Sequence, residues 1–258
     1  MRMAQPAPAP ASPSLLDIYL ALSHIGEAAG PLAPLPGEAP EETPRLHVAH
    51  TATDEWRVFI RPDLPEDIRQ RLAALPPETL FGDYARVAAL LSAGEGHSGA
   101  EADPGDALWI GRTLLFPDDL APARRPLDGV VRLPAGVDLY GEPAPGAASL
   151  RPAIAPADEP PPPRESFPGE QFAIVVDGLV VATCESSRES ALAAEAWVRT
   201  LPTARGHGYA TRVTAAWALD ARRRGKTPFY SHHRANRASA GVARALGLIP
   251  FLEDTGYL

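Results

Sequence analysis

The residues best suited to chemistry in this 258-residue chain lie between positions 184 and 247. Arg205-Gly206-His207-Gly208-Tyr209-Ala210 follows an apolar, strand-like run and opens a helical one. A strand that ends in a Gly-rich turn ahead of a helix gathers unpaired backbone N–H groups and the positive end of the helix dipole at one spot, which suits a phosphate. The glycines let the main chain close on an oxyanion where a Cβ would hold it off, Arg205 adds a permanent charge at the rim, and His207 lines the same site. The bland alternative is a plain turn of small residues. Glu195 stands beside apolar Ala196 and Trp197, a setting for a general base, and equally one for a salt bridge with Arg188 or Arg199. His232 and His233 end a strand; adjacent strand residues point to opposite faces, so one of them faces a cleft unless both merely close the strand in solvent. Cys184 has the apolar strand surroundings of a buried structural thiol rather than a nucleophile.

Two other readings of the glycine turn fail on their partners. A dinucleotide site wants a third small residue after Gly206-x-Gly208 and a carboxylate ending the next strand, but Thr211 and His232 stand near those places. A P-loop needs Gly-Lys-Ser/Thr, and the only lysine, Lys226, lies beyond the helix.

The elements that must position these residues are well patterned. Phe172 to Val176, Asp177-Gly178 and Leu179 to Thr183 read as a hairpin. Ala194 to Leu201 is a strand, Tyr209 to Arg224 a helix closed by Gly225, and Pro228 to His232 a further strand. Asn236 caps a helix running to Leu246, Gly247 ends it, and Leu248 to Leu252 makes a last strand, giving the order β-β-β-α-β-α-β. Upstream, Ser14 and Asp17 form a capping box for a helix that runs on toward Gly30. Strands follow at Arg45 to His50 and Trp56 to Ile60, then a helix begun by Pro65, a helix from about Leu80 to Leu91, and short strands at 107–116 and 129–133.

Composition sets the frame. The Pro-rich run from Ala155 to Pro163 marks a boundary between residues 14–163 and 164–258, and residues 1–13, rich in Ala and Pro, read as a disordered tail without the apolar stretch of a signal peptide. One cysteine excludes an internal disulfide framework, and no Cys/His spacing suits a metal. The formal charge is −8, divided as −11 before residue 164 and +3 after it, which argues against nucleic acid or a membrane surface as partner and leaves the C-terminal third suited to an anion. No run approaches the ~18 apolar residues of a membrane span. A cytoplasmic setting is expected.

The pattern Arg-x-x-Gly-x-Ala after a strand, with Asn236 near the start of the next helix and Gly247 at its end, resembles the GNAT acyl-CoA N-acyltransferase superfamily. The runs CESSR, AEAWVRTLPTARGHGYATRVTAAWA and YSHHRANRASAGVARALGL resemble more narrowly a group of bacterial GNAT proteins with an added N-terminal region. The resemblance covers about residues 170–254. It implies an α/β (α+β) fold whose mixed, mostly antiparallel sheet has splayed central strands flanked by helices, here with an N-terminal α/β region that is either distinct or a degenerate copy of the same half.

It implies further that acetyl-CoA enters the gap between the splayed strands. The pantetheine falls to the backbone of Val198 and Thr200, the pyrophosphate to the amides of Arg205, Gly206, His207, Gly208, Tyr209 and Ala210, and the far side to Asn236 and Ser239. The N–H near Val198 holds the oxyanion, and Glu195 or His232 serves as base. Many relatives carry a tyrosine seven residues after the asparagine as the acid. Here that residue is Ala243, so Ser239 or water stands in, or the chain is a CoA-binding sensor rather than an enzyme. The implied partner is a small-molecule or peptide amine, with a homodimer as the candidate assembly.

Overall fold

The computed structural model describes residues 13–22, 43–93, 108–120, 127–133, 151–152 and 170–257. The expected tail up to residue 12, the Pro-rich run and the extension of the first helix toward Gly30 lie outside them. Helix α1, Leu15–Leu22, begins as its capping box requires: the Asp17 N–H donates to Ser14 Oγ at 3.1 Å and the Ser14 N–H to the Asp17 carboxylate at 3.1 Å. Strands β1, Leu46–Thr51, and β2, Trp56–Ile60, form an antiparallel hairpin. Three helices follow: α2, Glu66–Ala73, α3, Pro77–Gly82, and α4, Tyr84–Ala93. The single helix expected over 80–91 is thus two. Pro76 and Pro77 start α3 early, and Asp83, at φ −95° and ψ 69°, breaks the chain and accepts the Arg86 N–H on its carboxylate at 3.2 Å. Single strands β3, Leu108–Leu115, β4, Val130–Leu133, and the two-residue β5, Arg151–Pro152, are the remaining elements among the described residues before 163.

The C-terminal elements keep the expected order: β6, Gln171–Val176, β7, Leu179–Glu189, β8, Ala193–Thr200, α5, Tyr209–Arg223, β9, Thr227–His233, α6, Arg237–Leu246, and β10, Ile249–Tyr257. Asp177 and Gly178, at φ 51° and 78°, make the tight turn their sequence announces. Two strands are longer than their apolar runs. β7 continues through polar Glu185–Glu189, where the carboxylate of Glu185 accepts from Gln171 Nε2 at 2.5 Å and the hydroxyl of Ser186 accepts from the Trp217 indole at 3.1 Å. β10 continues through Glu253 and Asp254 because it is paired on both edges, by β1 and β3.

The ten strands among the described residues join one sheet in the order β2-β1-β10-β3-β9-β8-β7-β6-β4, with β5 alongside β7. Pairing is antiparallel except at β5–β7 and at β8–β9. Strands from both sides of the Pro-rich run therefore share one sheet, and β3, from the N-terminal part, lies between β9 and β10. Helices cover both faces. On one, Val213, Trp217 and Ala221 of α5 and Leu246 of α6 pack with Phe172, Cys184, Ala194 and Tyr230; on the other, α1 packs on Ala193, Phe229 and Leu252. A third core joins α2, α3 and α4 to Leu46, Val48 and Tyr257.

Glu189 fastens the end of β7 to the turn after α5. Lys226 Nζ stands 2.9 Å from its carboxylate, which also takes the Arg224 guanidinium and the Ser186 hydroxyl. Burial favours the neutral acid, but these donors outweigh it and hold the carboxyl below its ordinary range. A depressed folded value contributes stability that is complete above the unfolded carboxyl range and fades as pH falls through the folded one. Glu189→Gln should therefore lower the melting temperature at pH 7, and its further loss between pH 7 and pH 4 should be smaller than that of the parent protein in parallel thermal melts.

Candidate functional site

Strands β8 and β9 run side by side only over Ala193–Glu195 and Thr227–Phe229, after which they part. Beyond the fork β8 stays with β7 through Thr200, and β9 stays with β3 through His233. The Leu201 N–H donates to Val181 O across β7. With a two-residue period, the main-chain groups of Arg199 also face β7, whereas those of Val198 and Thr200 face the gap. A sheet with a gap in its middle exposes backbone groups that some other chain or ligand must pair.

The gap opens into a cleft of about 640 Å³ between β8, the glycine loop, the start of α5 and one side of α6. Val198, Thr200, Arg205, Gly206, Gly208, Tyr209, Ala210, Asn236 and Ser239 line it, so nine of the residues expected from sequence meet at one place. Gly206 and Gly208 take φ 84° and 73°, a region open to glycine and strained for other residues. Gly208 is the N-cap of α5 and supplies no side-chain bond to it, so the first-turn amides of a 15-residue helix are left open toward the cleft. Thr200 Oγ1, also on the cleft wall, is buried without a hydrogen-bond partner. Open amides, an orphaned hydroxyl and exposed Arg205 at the rim form a cradle for a phosphate attached to an extended polar chain.

Three expected residues have other surroundings. His207 is absent from the cleft wall: its Nδ1 lies 3.0 Å from the Arg205 carbonyl and its ring stacks on Tyr209. Asn236 does line the cleft, but its side-chain oxygen is engaged as the α6 cap, accepting the Ser239 N–H at 3.0 Å. His232 is buried on the α6 side, with Nδ1 2.9 Å from the His233 carbonyl, and is not on the cleft wall. Its neighbour His233 projects to the opposite face against Trp109, at 5.2 Å between ring centres.

Glu195 is the last residue of β8 before the fork, buried, with Arg188 Nη1 3.3 Å from its carboxylate. The salt bridge is thus present. Ala243, on α6, is buried in the core. Tyr230, the first residue of β9 past the fork, has its hydroxyl 3.4 Å from the Ser239 carbonyl, and burial pushes its phenol up to about 12. Cys184 is fully buried, and desolvation pushes its thiol well above the ordinary range, as befits a structural cysteine.

The face of the sheet opposite the cleft holds polar residues that the sequence reading missed. Tyr19 of α1 and Thr113 of β3 lie buried beside Ser231 of β9, and the Asp254 carboxylate takes the Trp109 indole N–H at 3.2 Å and meets His47 Nε2 at 3.2 Å. A Cβ on Gly111 would collide with Asp254 and Trp109, so the carboxylate occupies the space a side chain there would fill. The only sequence signal for this cluster is the placement of polar residues inside strands.

Residues 168–253 match a family model described as GNAT acetyltransferase. No curated protein sequence matches the chain. Similar solved structures include a GCN5-related N-acetyltransferase-like protein from Streptococcus suis, 14% identical over 84% of this chain and 85% of that one, with a TM-score of 0.45. An acetyltransferase from the GNAT family from Colwellia psychrerythraea is 13% identical over 78% and 76%, with a TM-score of 0.41. A GNAT-family protein from Novosphingobium aromaticivorans is 16% identical, at a TM-score of 0.38, and the alignment spans 58% of this chain and 66% of that protein's length. By the family match, residues 168–253, one third of the chain, are similar to the GNAT acetyltransferases.

Proposed function

We propose that the protein transfers an acetyl group from acetyl-CoA, or a related acyl group, to a primary amine by direct attack. The observation that carries this reading is the fork between β8 and β9 opening onto the uncapped N-terminus of α5. A thioester on a long polar arm with a pyrophosphate at its far end fits that arrangement. The α5 amides and Arg205 hold the pyrophosphate, the gap-facing groups of Val198 and Thr200 pair the arm as a strand would, and Asn236 and Ser239 bound it across the cleft.

In the reaction a neutral amine nitrogen attacks the thioester carbon, a C–N bond forms, the C–S bond breaks, and the nitrogen gives up a proton. An N–H of the Val198 region is placed for the developing oxyanion. Glu195 is the carboxylate at the fork, and it acts as base by sharing its charge between the departing proton and Arg188. A thiolate with a pKa near ~8.5 leaves with Ser239 or water as its proton source.

One observation favours a second reading, a CoA-binding sensor: buried Ala243 stands where an acid would be. Calorimetry with acetyl-CoA, followed by thiol release in the presence of an amine panel, separates the two. The acyltransferase reading expects binding and amine-dependent release; binding without release supports the sensor, and no binding overturns both.

A further inference from the structure

Ser231 lies on β9 two residues past Phe229, the last residue paired with β8, and so at the mouth of the fork, on the face opposite the cleft. It is half-buried, whereas Thr113 and Tyr19 behind it are buried. The three come from separate parts of the chain, α1, β3 and β9. Thr113 donates its hydroxyl proton to Tyr19 Oη at 2.9 Å, and the Ser231 hydroxyl lies 2.9 Å from Thr113 Oγ1.

A threonine hydroxyl has one proton. Because Thr113 gives it to Tyr19, and Ser231 bonds Tyr19 as well as Thr113, the serine's proton is engaged within the row. Ser231 Oγ is then left with lone pairs alone on its open side, and it accepts but does not donate. Glu195 on β8 and Asp254 on β10 both act on Tyr19, each with its own partner, Arg188 and His47 respectively. A group that only accepts favours a nitrogen carrying N–H bonds and partial positive charge.

We propose that Ser231 accepts a hydrogen bond from the attacking amine nitrogen, and that Thr113 and Tyr19 are positioning residues that fix it as an acceptor. This role rests on the acyl-transfer reading, and it gives α1 and β3, both outside the family match, a part in the acceptor site. It selects primary and secondary amines that approach the fork from the α1 face, with Trp109 and Trp197, the exposed tryptophans of that face, on either side. The Ser231 bond holds the nitrogen lone pair toward the gap, and it grows stronger as the nitrogen gains positive charge during attack.

The test uses the full chain with acetyl-CoA and three amines, spermidine, tyramine and a lysine-bearing peptide, reading thiol release and melting temperature. Ser231→Ala should lower kcat/KM for the amine about 10- to 100-fold while KM for acetyl-CoA stays within about twofold. Ser231→Thr, which keeps the hydroxyl, should restore most of the loss. Tyr19→Phe frees the Thr113 proton to turn toward Ser231 and so converts the site in part to a donor; a smaller fall in amine kcat/KM, about 3- to 10-fold, is expected at an acetyl-CoA KM that does not move. If the parent protein is active and Ser231→Ala equals it with every amine, the role of Ser231 is overturned and acyl transfer stands. If the parent protein releases no thiol with any amine, the acyl-transfer reading falls and this role with it.

Discussion

Trp217→Ala should lower the unfolding free energy by about 3–5 kcal/mol, the largest stability loss expected at a single position. Trp217 is among the largest side chains buried to within 2% exposure. Its ring packs near Phe116 at 6.0 Å between ring centres, and its indole N–H donates to Ser186 Oγ at 3.1 Å. Truncation removes the apolar area, leaves a cavity between α5 and the sheet, and takes a donor from Ser186, which itself donates to Glu189 at 2.8 Å. Trp217→Phe retains much of the volume and should cost about 1–2 kcal/mol, mainly for the lost hydrogen bond and the partial void. Urea titration of both variants checks the pair. A smaller midpoint at unchanged slope is the expected form, because the change is in packing rather than in the denatured chain.

Gly208→Val should abolish most acetyl-CoA binding without unfolding the protein. The position has open space where a Cβ would stand, so a steric clash is not the reason. The reason is the backbone: φ 73° and ψ 9° put a β-branched residue in the left-handed region, at a cost of about 1–2 kcal/mol or more. The loop relieves that strain by turning out of its conformation, and the first-turn amides of α5 no longer converge. Loss of one or two aligned amide bonds to a phosphate, added to the reorganisation, amounts to on the order of 10- to 100-fold in affinity. Gly208→Ala should fall between valine and the parent. Arg205→Ala, at an exposed rim position, should weaken binding less, and its effect should shrink as salt is raised.

The site was readable in the sequence where local rules fix it. The glycine loop, α5 and α6 follow from a turn, an apolar period and caps that lie within a few residues of one another, and Asn236 and Gly247 cap α6 as expected. The hairpin at Asp177-Gly178 is of the same kind. What could not be read depends on contacts between distant segments. Thr113 reaches Tyr19 across 94 residues, Trp109 reaches Asp254 across 145, and His47 reaches Asp254 across 207. No periodicity encodes those meetings: the first two arise only when β3 is inserted between β9 and β10, and the third when β1 pairs with β10. The strands misjudged in length failed for a related reason: Glu185, Glu253 and Asp254 look like loop residues until their partners across the sheet are known, and Glu189 until Arg224 and Lys226 are. His232 and His233 show the limit of alternation, which states that they part to opposite faces but not which face adjoins the cleft.

The most direct test of the account is the fate of the acetyl group. Purified protein is incubated with acetyl-CoA and the amine panel, and free thiol and acetylated amine are quantified together, by thiol titration and mass spectrometry. The account predicts equal amounts of both, formed only when protein and amine are present and much reduced in Gly208→Val. Thiol release that is independent of amine, or no acetylated product with any amine despite bound acetyl-CoA, would contradict it.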